Sequence, residues 1–207
     1  MNTPLLYLNG EFLEEADARI SPFDRGFLWG DGVYEITPCF DGRLYRLEDH
    51  LDRLYRSLRY VRIDPGLERD EMAAKTRDLL AANSDRMAPG GAYRVGHWVT
   101  RGVNTGGFGA ADATDPTVMM FFRAMEVEAI ARDQHEGIDL SVPATRRTPP
   151  EAIEARAKVT SKMNQILAEL DAGANGAKSL MLDLDGNVAE NSSANFFLVR
   201  DGVLWTA

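Results

Sequence analysis

Ala155-Arg156-Ala157-Lys158-Val159-Thr160-Ser161-Lys162-Met163, and after it Ala189-Glu190-Asn191-Ser192-Ser193-Ala194-Asn195-Phe196-Phe197, decide how this chain is read. Val159, Met163, Ile166, Leu167 and Leu170 recur at the spacing of one buried helical stripe, which predicts a helix starting at or just after Lys158. An ammonium group at the positive end of a helix dipole is disfavoured relative to the neutral amine, so that position would push Lys158 toward its nucleophilic form. Lys162 falls with Gln165 and Glu169 on the opposite, polar face, where water keeps a lysine an ordinary cation. A small-residue break, Gly173-Ala174-Asn175-Gly176, ends the helix. Two apolar runs follow, Ser179 to Leu184 and Val188 onward, joined at Asp185-Gly186, and Asp-Gly between such runs signals a hairpin. In the second run Glu190 precedes small polar residues and then aromatics expected to be buried; an acid beside an apolar strand needs a cationic partner.

Working outward, Asn9-Gly10 between Leu5-Leu8 and Glu11-Leu13 predicts an opening hairpin. Gly30-Asp31-Gly32-Val33-Tyr34-Glu35 then places two glycines around an acid just before a strand, a pattern that permits close backbone approach. The strand from Val33 to Phe40 turns at Asp41-Gly42 and returns toward Leu47. A helix follows with Leu47, Leu51, Leu54, Leu58 and Val61 as its core stripe, Glu48 and Asp49 in its first turn, and Arg53, Arg56, Arg59 and Arg62 off the stripe. A second helix is expected from Arg69 to Ala82, then strands from Ala92 to Arg101 and Thr117 to Arg123 around a Gly- and Ala-rich loop, with Arg94 and His97 able to point into a site and His97 read as a packed or rim residue. Glu126 to Glu136 reads as a charged connector, Ile138 to Val142 as a new strand, and Val199 to Trp205 as a last hairpin about Asp201-Gly202. The domain boundary is placed near Met125, giving a small N-terminal α/β domain over 1–125 and the first part of a larger domain over 126–207.

The 207 residues, 44% hydrophobic and 27% charged, suit an ordinary soluble globular protein. A net charge of -9 with no basic concentration argues against a nucleic-acid partner. No apolar run approaches the roughly 18 residues of a membrane-spanning helix, no basic leader precedes an apolar stretch, and no His or Cys grouping has metal-ligand spacing. The single cysteine, Cys39, cannot form an intrachain disulfide and points to a reducing, cytoplasmic setting.

These segments together resemble the fold-type IV, or class IV, pyridoxal-phosphate enzymes, among them branched-chain and D-amino-acid aminotransferases, (R)-amine transaminases and aminodeoxychorismate lyase. The resemblance runs from about Leu6 to the end of the sequence. It implies a two-domain α+β or α/β fold with mixed, largely antiparallel sheets and flanking helices, whose larger domain continues beyond Ala207 in family members. It also implies Lys158 as the Schiff-base lysine, Glu190 as the acid paired with the pyridine nitrogen of pyridoxal 5'-phosphate, and Arg53, within His50-Leu51-Asp52-Arg53-Leu54, as the phosphate clamp. Tyr34 faces the substrate on this reading, and Arg94 is a further pocket candidate. The implied reaction moves an amino group from an amino acid or amine to a 2-oxo acid, in a homodimer. An aminodeoxychorismate-type lyase, a cofactor-free lysine enzyme and a non-catalytic relative are the alternatives. The arginine and histidine that D-amino-acid enzymes commonly carry after the Thr-Arg-Gly string are absent here, where Thr100-Arg101-Gly102 leads into Val103-Asn104-Thr105-Gly106-Gly107-Phe108.

Overall fold

The computed structural model describes residues 3–174 and 176–207, so the first two residues and Asn175, part of the expected break, lie outside the described residues. The chain falls into two compact units. The first runs through Val127 and takes in the short segment Arg156–Ser161; the second comprises Glu128–Ala155 and Lys162–Ala207.

In the first unit β1 (Leu5–Leu8) and β2 (Glu11–Glu14) form the opening hairpin, with Asn9 and Gly10 at φ 48° and 105° as the turn dipeptide requires. A short helix α1 (Arg25–Trp29) leads to β3 (Gly32–Phe40), which turns at Asp41-Gly42 into β4 (Arg43–Leu44). Helices α2 (Leu47–Val61) and α3 (Arg69–Ala82) follow, then β5 (Ala92–Thr100), the small pair β6 (Val103–Asn104) and β7 (Ala113–Thr114), and β8 (Val118–Ala124). The six long-sheet strands lie in the order β2-β1-β8-β5-β3-β4, every neighbour antiparallel. Alternation then sorts side chains by face. Val33, Val95, Val99, Val118, Met120 and Phe122 pack under Leu47, Leu51, Leu54, Leu58, Met72 and Leu79 of the two helices. The opposite face carries Tyr34, Trp98, Met119 and Phe121.

His97 sits in the helix-covered face, fully buried, with Nε2 2.9 Å from the Thr76 hydroxyl. Burial holds its pKa down to about 4, the nearby Glu35 opposing this only in part. It is a neutral packed residue, as the strand pattern suggested.

In the second unit the expected charged connector is instead a helix, α4 (Val127–Glu136). Its Val127 and Ile130 are exposed, so the unbroken run of helix-forming residues, not a buried stripe, is the local signal for it. Strand β9 (Leu140–Ser141) pairs in parallel with β10 (Lys178–Leu182), and β11 (Val188–Asn191) completes that sheet in the order β11-β10-β9. Between β9 and β10 runs α5 (Met163–Gly173), and β12 (Phe197–Arg200) with β13 (Val203–Thr206) form the final hairpin about Asp201-Gly202.

Helix α5 departs from the sequence reading twice. It begins at Met163 with Lys162 as its N-cap residue, and it buries Gln165, Ala168 and Ala172 while Met163, Ile166, Leu167 and Leu170 stay exposed. The alanines allow the helix to approach β10 closely. Glu169, expected in solvent, accepts hydrogen bonds from Ser192 Oγ at 2.7 Å, Ser179 Oγ at 3.0 Å and the Ser179 N–H at 3.3 Å. The polar side of the helix is thus the side that packs. Phe197, expected to be buried, is 52% exposed.

Candidate active site

Strand β3 organises the first unit's chemistry because its two faces and one of its edges are used differently. Past its pairing with β4, the free edge at Gly32–Tyr34 is taken by the segment Arg156–Ser161. Val159 stands opposite Val33 in an antiparallel bridge, Tyr34 N–H donates to Lys158 O at 2.8 Å, and Thr160 N–H donates to Gly32 O at 2.9 Å. From the other side Lys158 N–H donates to Ser57 Oγ at 3.1 Å, and that hydroxyl donates to Arg53 O, one turn back on α2, at 3.0 Å. The backbone of Lys158 is therefore fixed to both β3 and α2. Its Nζ lies 4.6 Å from the centroid of the Tyr34 ring, which stacks on Trp98 of β5 at 5.1 Å. Ammonium over an aromatic face is an attractive arrangement.

The helix dipole invoked for Lys158 does not act on it, since the helix starts beyond it at Met163 and Lys162 stands at its end. Val159 belongs to the strand edge, packed against the core of the first unit, and its spacing to Met163 matches a helical stripe by coincidence. What sets Lys158 apart from Lys162 is pairing with β3.

The two glycines of Gly30-Asp31-Gly32 make that pairing possible. Gly30 has φ 68°, and a Cβ there would lie 3.1 Å from Ser161 Cα. A Cβ on Gly32 would meet Val99 O at 2.6 Å and Thr160 Oγ1 at 3.3 Å. Gly32→Ala should consequently cost roughly 1–3 kcal/mol, as overpacking does, and should displace the Lys158 segment from the strand. Urea unfolding together with a faster proton exchange of the Tyr34 amide would register both effects, and unchanged exchange would refute the second.

Asp31, between the glycines, accepts from Arg101 through Nε at 2.8 Å and Nη2 at 3.0 Å and pairs with the buried Arg25 at 2.8 Å. Arg101 also donates to the carbonyls of Val61 and Arg62, so its guanidinium is spent on the fold. Arg94 is exposed on β5, opposite Pro38 and Arg123. It shares a sheet face with Trp98 but stands four residues along the strand, about 13 Å at strand rise. Beside Trp98 a cavity of about 540 Å³ is walled by Pro22, Phe27, Thr100, Met119 and Thr160 among others.

Arg53 differs from the neighbouring arginines of α2 in being half-buried. Its Nε and Nη2 donate to Glu35 Oε2 at 2.6 Å and Oε1 at 2.7 Å. Glu35 is fully buried and also accepts from the Ile36 N–H at 2.9 Å, with His50 Nδ1 at 3.1 Å. Burial alone would raise this carboxyl, but the hydrogen bonds from Arg53, His50 and Ile36, with the charge of Arg53, hold its pKa at about 2. Side-on pairing leaves the outer edge of the guanidinium, Nη1 and Nη2, for a second acceptor. The side chain as a whole is 40% exposed.

In the second unit Glu190 on β11 pairs with Arg147 through Oε1 and Nε at 2.6 Å, and Arg147 N–H donates to Leu182 O at 2.8 Å. Both line a cavity of about 610 Å³ with Thr148, Pro149, Asp183 and Ala189. The cationic partner expected for this acid is thus a protein residue. Arg147, Ser57 and the buried partnership of Glu35 with His50 were missed from the sequence. Arg147 lies in a proline-bounded loop with no periodicity, whereas Ser57, a small polar residue among the leucines of a core stripe, did carry a signal.

Within the first unit, a lysine amine fixed beside a tyrosine and an arginine with one open edge suit an anionic, carbonyl-bearing molecule. The family model for amino-transferase class IV matches residues 32–207. The putative branched-chain-amino-acid aminotransferase of Methanocaldococcus jannaschii is 35% identical over 202 residues, covering 97% of this chain and 67% of that protein. The aminodeoxychorismate lyase of Bacillus subtilis is 32% identical, with 98% and 67% covered. Among solved structures, a T.th. branched-chain amino acid aminotransferase with pyridoxamine 5'-phosphate superposes with a TM-score of 0.82 at 26% identity, over 100% of this chain and 67% of that one. The chain belongs to the class IV aminotransferases. It is an enzyme of amino-group transfer with the mixed α+β fold of that family, and it spans about two thirds of the length of these relatives. No helix among the described residues is long and apolar enough to cross a membrane.

Proposed function

We propose that Lys158 is the reactive amine of a pyridoxal-phosphate-dependent transaminase, the Schiff-base lysine of the family, and that Arg53 holds the cofactor phosphate, Glu190 serves its ring nitrogen and Tyr34 lines the substrate side. The observation that carries this reading is the seating of Lys158 on the edge of β3, with Nζ over the Tyr34 ring and its backbone tied through Ser57 to the turn of α2 that bears Arg53. Pyridoxal 5'-phosphate, when bound, supplies an electron-withdrawing ring that accepts the electron pair left on the substrate carbon.

The chain's own residues do the rest. The permanently charged, planar guanidinium of Arg53 offers paired donors to a phosphate. The Nζ of Lys158 would hold the cofactor and, as general base, would take the proton from the substrate carbon and deliver it to the cofactor carbon that accepts the amino nitrogen. Glu190, oriented by Arg147, offers its carboxylate to a protonated ring nitrogen. Trp98 braces the Tyr34 ring and excludes water from one of its faces.

The substrates are an amino acid or amine and a 2-oxo acid. Arg101 is bound to Asp31 and cannot trap a carboxylate, and Asp24 is the charged residue of the cavity beside Trp98. Acidic D-amino acids such as D-glutamate are therefore expected to be poor donors beside hydrophobic amino acids. A donor screen against a common 2-oxo acid tests this, and efficient D-glutamate turnover overturns it. The lyase alternative is supported by the 32% identity to the aminodeoxychorismate lyase; exchange of the amino group with a keto acid separates the two outcomes. A homodimer and a cytoplasmic setting complete the proposal, the latter supported by a lone buried thiol, Cys39.

A further inference from the structure

We infer that Glu35 is a positioning residue for anion binding: it bolts the inner edge of the Arg53 guanidinium so that the outer edge is presented, already oriented, to a phosphate. This rests on the reading of Arg53 as the phosphate ligand. A carboxylate with no exposure is an unusual occupant of a strand whose other inward residues are Val33, Thr37 and Cys39. Its position is over-determined. Oε1 accepts from the Ile36 N–H and from Arg53 Nη2 and lies 3.1 Å from His50 Nδ1, while Oε2 accepts from Arg53 Nε at 2.6 Å. His50 and Arg53 stand on adjacent turns of α2, so helix and strand are joined at this one carboxylate.

Arginine is rich in rotamers, and fixing it before the ligand arrives removes an ordering cost that binding would otherwise meet. The bond pair also dictates direction. With Nε and Nη2 engaged, the plane of the guanidinium is set by Glu35 and the outer pair of donors faces away from the core. A negative charge beside Arg53 opposes a phosphate electrostatically, so geometry and charge predict opposite signs when Glu35 is altered, and that difference makes the inference testable.

The experiment is a binding titration of the full protein, freed of cofactor, with pyridoxal 5'-phosphate and, in parallel, with pyridoxal, which lacks the phosphate. Glu35→Asp keeps the charge but withdraws the carboxylate by one methylene, out of reach of the two-bond pairing. It should weaken pyridoxal 5'-phosphate binding about tenfold, equivalent to about 1.4 kcal/mol, and leave pyridoxal binding unchanged. Glu35→Gln removes the charge at constant size and should also weaken phosphate-dependent binding; stronger binding would mean that charge governs, overturning the inference. Equal losses for both ligands would assign Glu35 a purely structural role and overturn it as well. The double variant Glu35→Gln/Arg53→Leu, which strands no buried charge, examines the underlying reading. If it loses phosphate-dependent affinity while both single Glu35 variants retain it, only the positioning role fails; if it retains that affinity, Arg53 itself is not the phosphate ligand. Should one single variant not fold, as thermal melting would reveal, the other decides by the same criteria.

Discussion

Lys158→Ala is expected to abolish amino transfer, whereas Lys162→Ala is expected to leave it nearly intact. The two lysines are close in sequence and chemically identical, so the contrast comes from placement. Lys158 is held by β3 through Tyr34 and by α2 through Ser57, with its amine over the Tyr34 ring. Lys162 is the N-cap residue of α5 and makes no side-chain capping bond. Removing a general base alone lowers rates by about 10²–10⁴-fold, and on the proposed role of Lys158 the covalent anchor would go with it. Borohydride treatment followed by a tryptic map locates the attached cofactor; an adduct on Lys162, or an active Lys158→Ala protein, would refute the assignment.

Arg53→Leu should destabilise the protein by about 3 kcal/mol at neutral pH, the low end of the loss seen when one partner of a buried pair is removed, because Arg53 is 40% exposed and its charge was partly hydrated. The cause is Glu35, left in the core with His50 and the Ile36 N–H as its remaining partners. The sign of the pH dependence follows. Glu35 is depressed from its ordinary 4.5 to about 2 in the folded wild type, so its stabilisation is full above pH 4.5 and is lost as pH falls toward 2. In the variant the depressing cation is gone and protonation relieves the buried charge. The stability gap between the two proteins should thus narrow steadily as pH is lowered from about 7 to about 4. Urea unfolding at those two values checks it, and a gap independent of pH would remove Glu35 as the cause.

Much of the first unit is legible in local chemistry. Leucines at Leu47, Leu51, Leu54 and Leu58 specify α2 and its buried face, and the turn dipeptides at Asn9, Asp41 and Asp201 specify the hairpins, each with the positive φ its turn demands. The roles proposed for Lys158, Arg53 and Glu190 come from a family resemblance and not from periodicity, which by itself gave Lys158 the wrong environment. Helix α5 shows why. Its apolar residues form a good stripe, yet the side that packs carries Gln165, Ala168 and Glu169, because Ser179 of β10 and Ser192 just past β11 donate hydrogen bonds to Glu169 there.

By itself, then, the sequence determined the hairpins, the helices α2 and α3, and the alternation of β3. Those features depend on neighbours a few residues away, whose spacing is written in the chain. Only the tertiary structure decided that Lys158 is a strand-edge residue, that Arg101 is consumed by Asp31, that Glu190 meets Arg147, and that Arg53 rests on a buried Glu35. Each of these is a pairing between groups well separated along the chain, whose local patterns do not refer to one another. Burial is what makes them binding choices, because a charge or a backbone amide removed from water must find its partner wherever the fold brings one within reach.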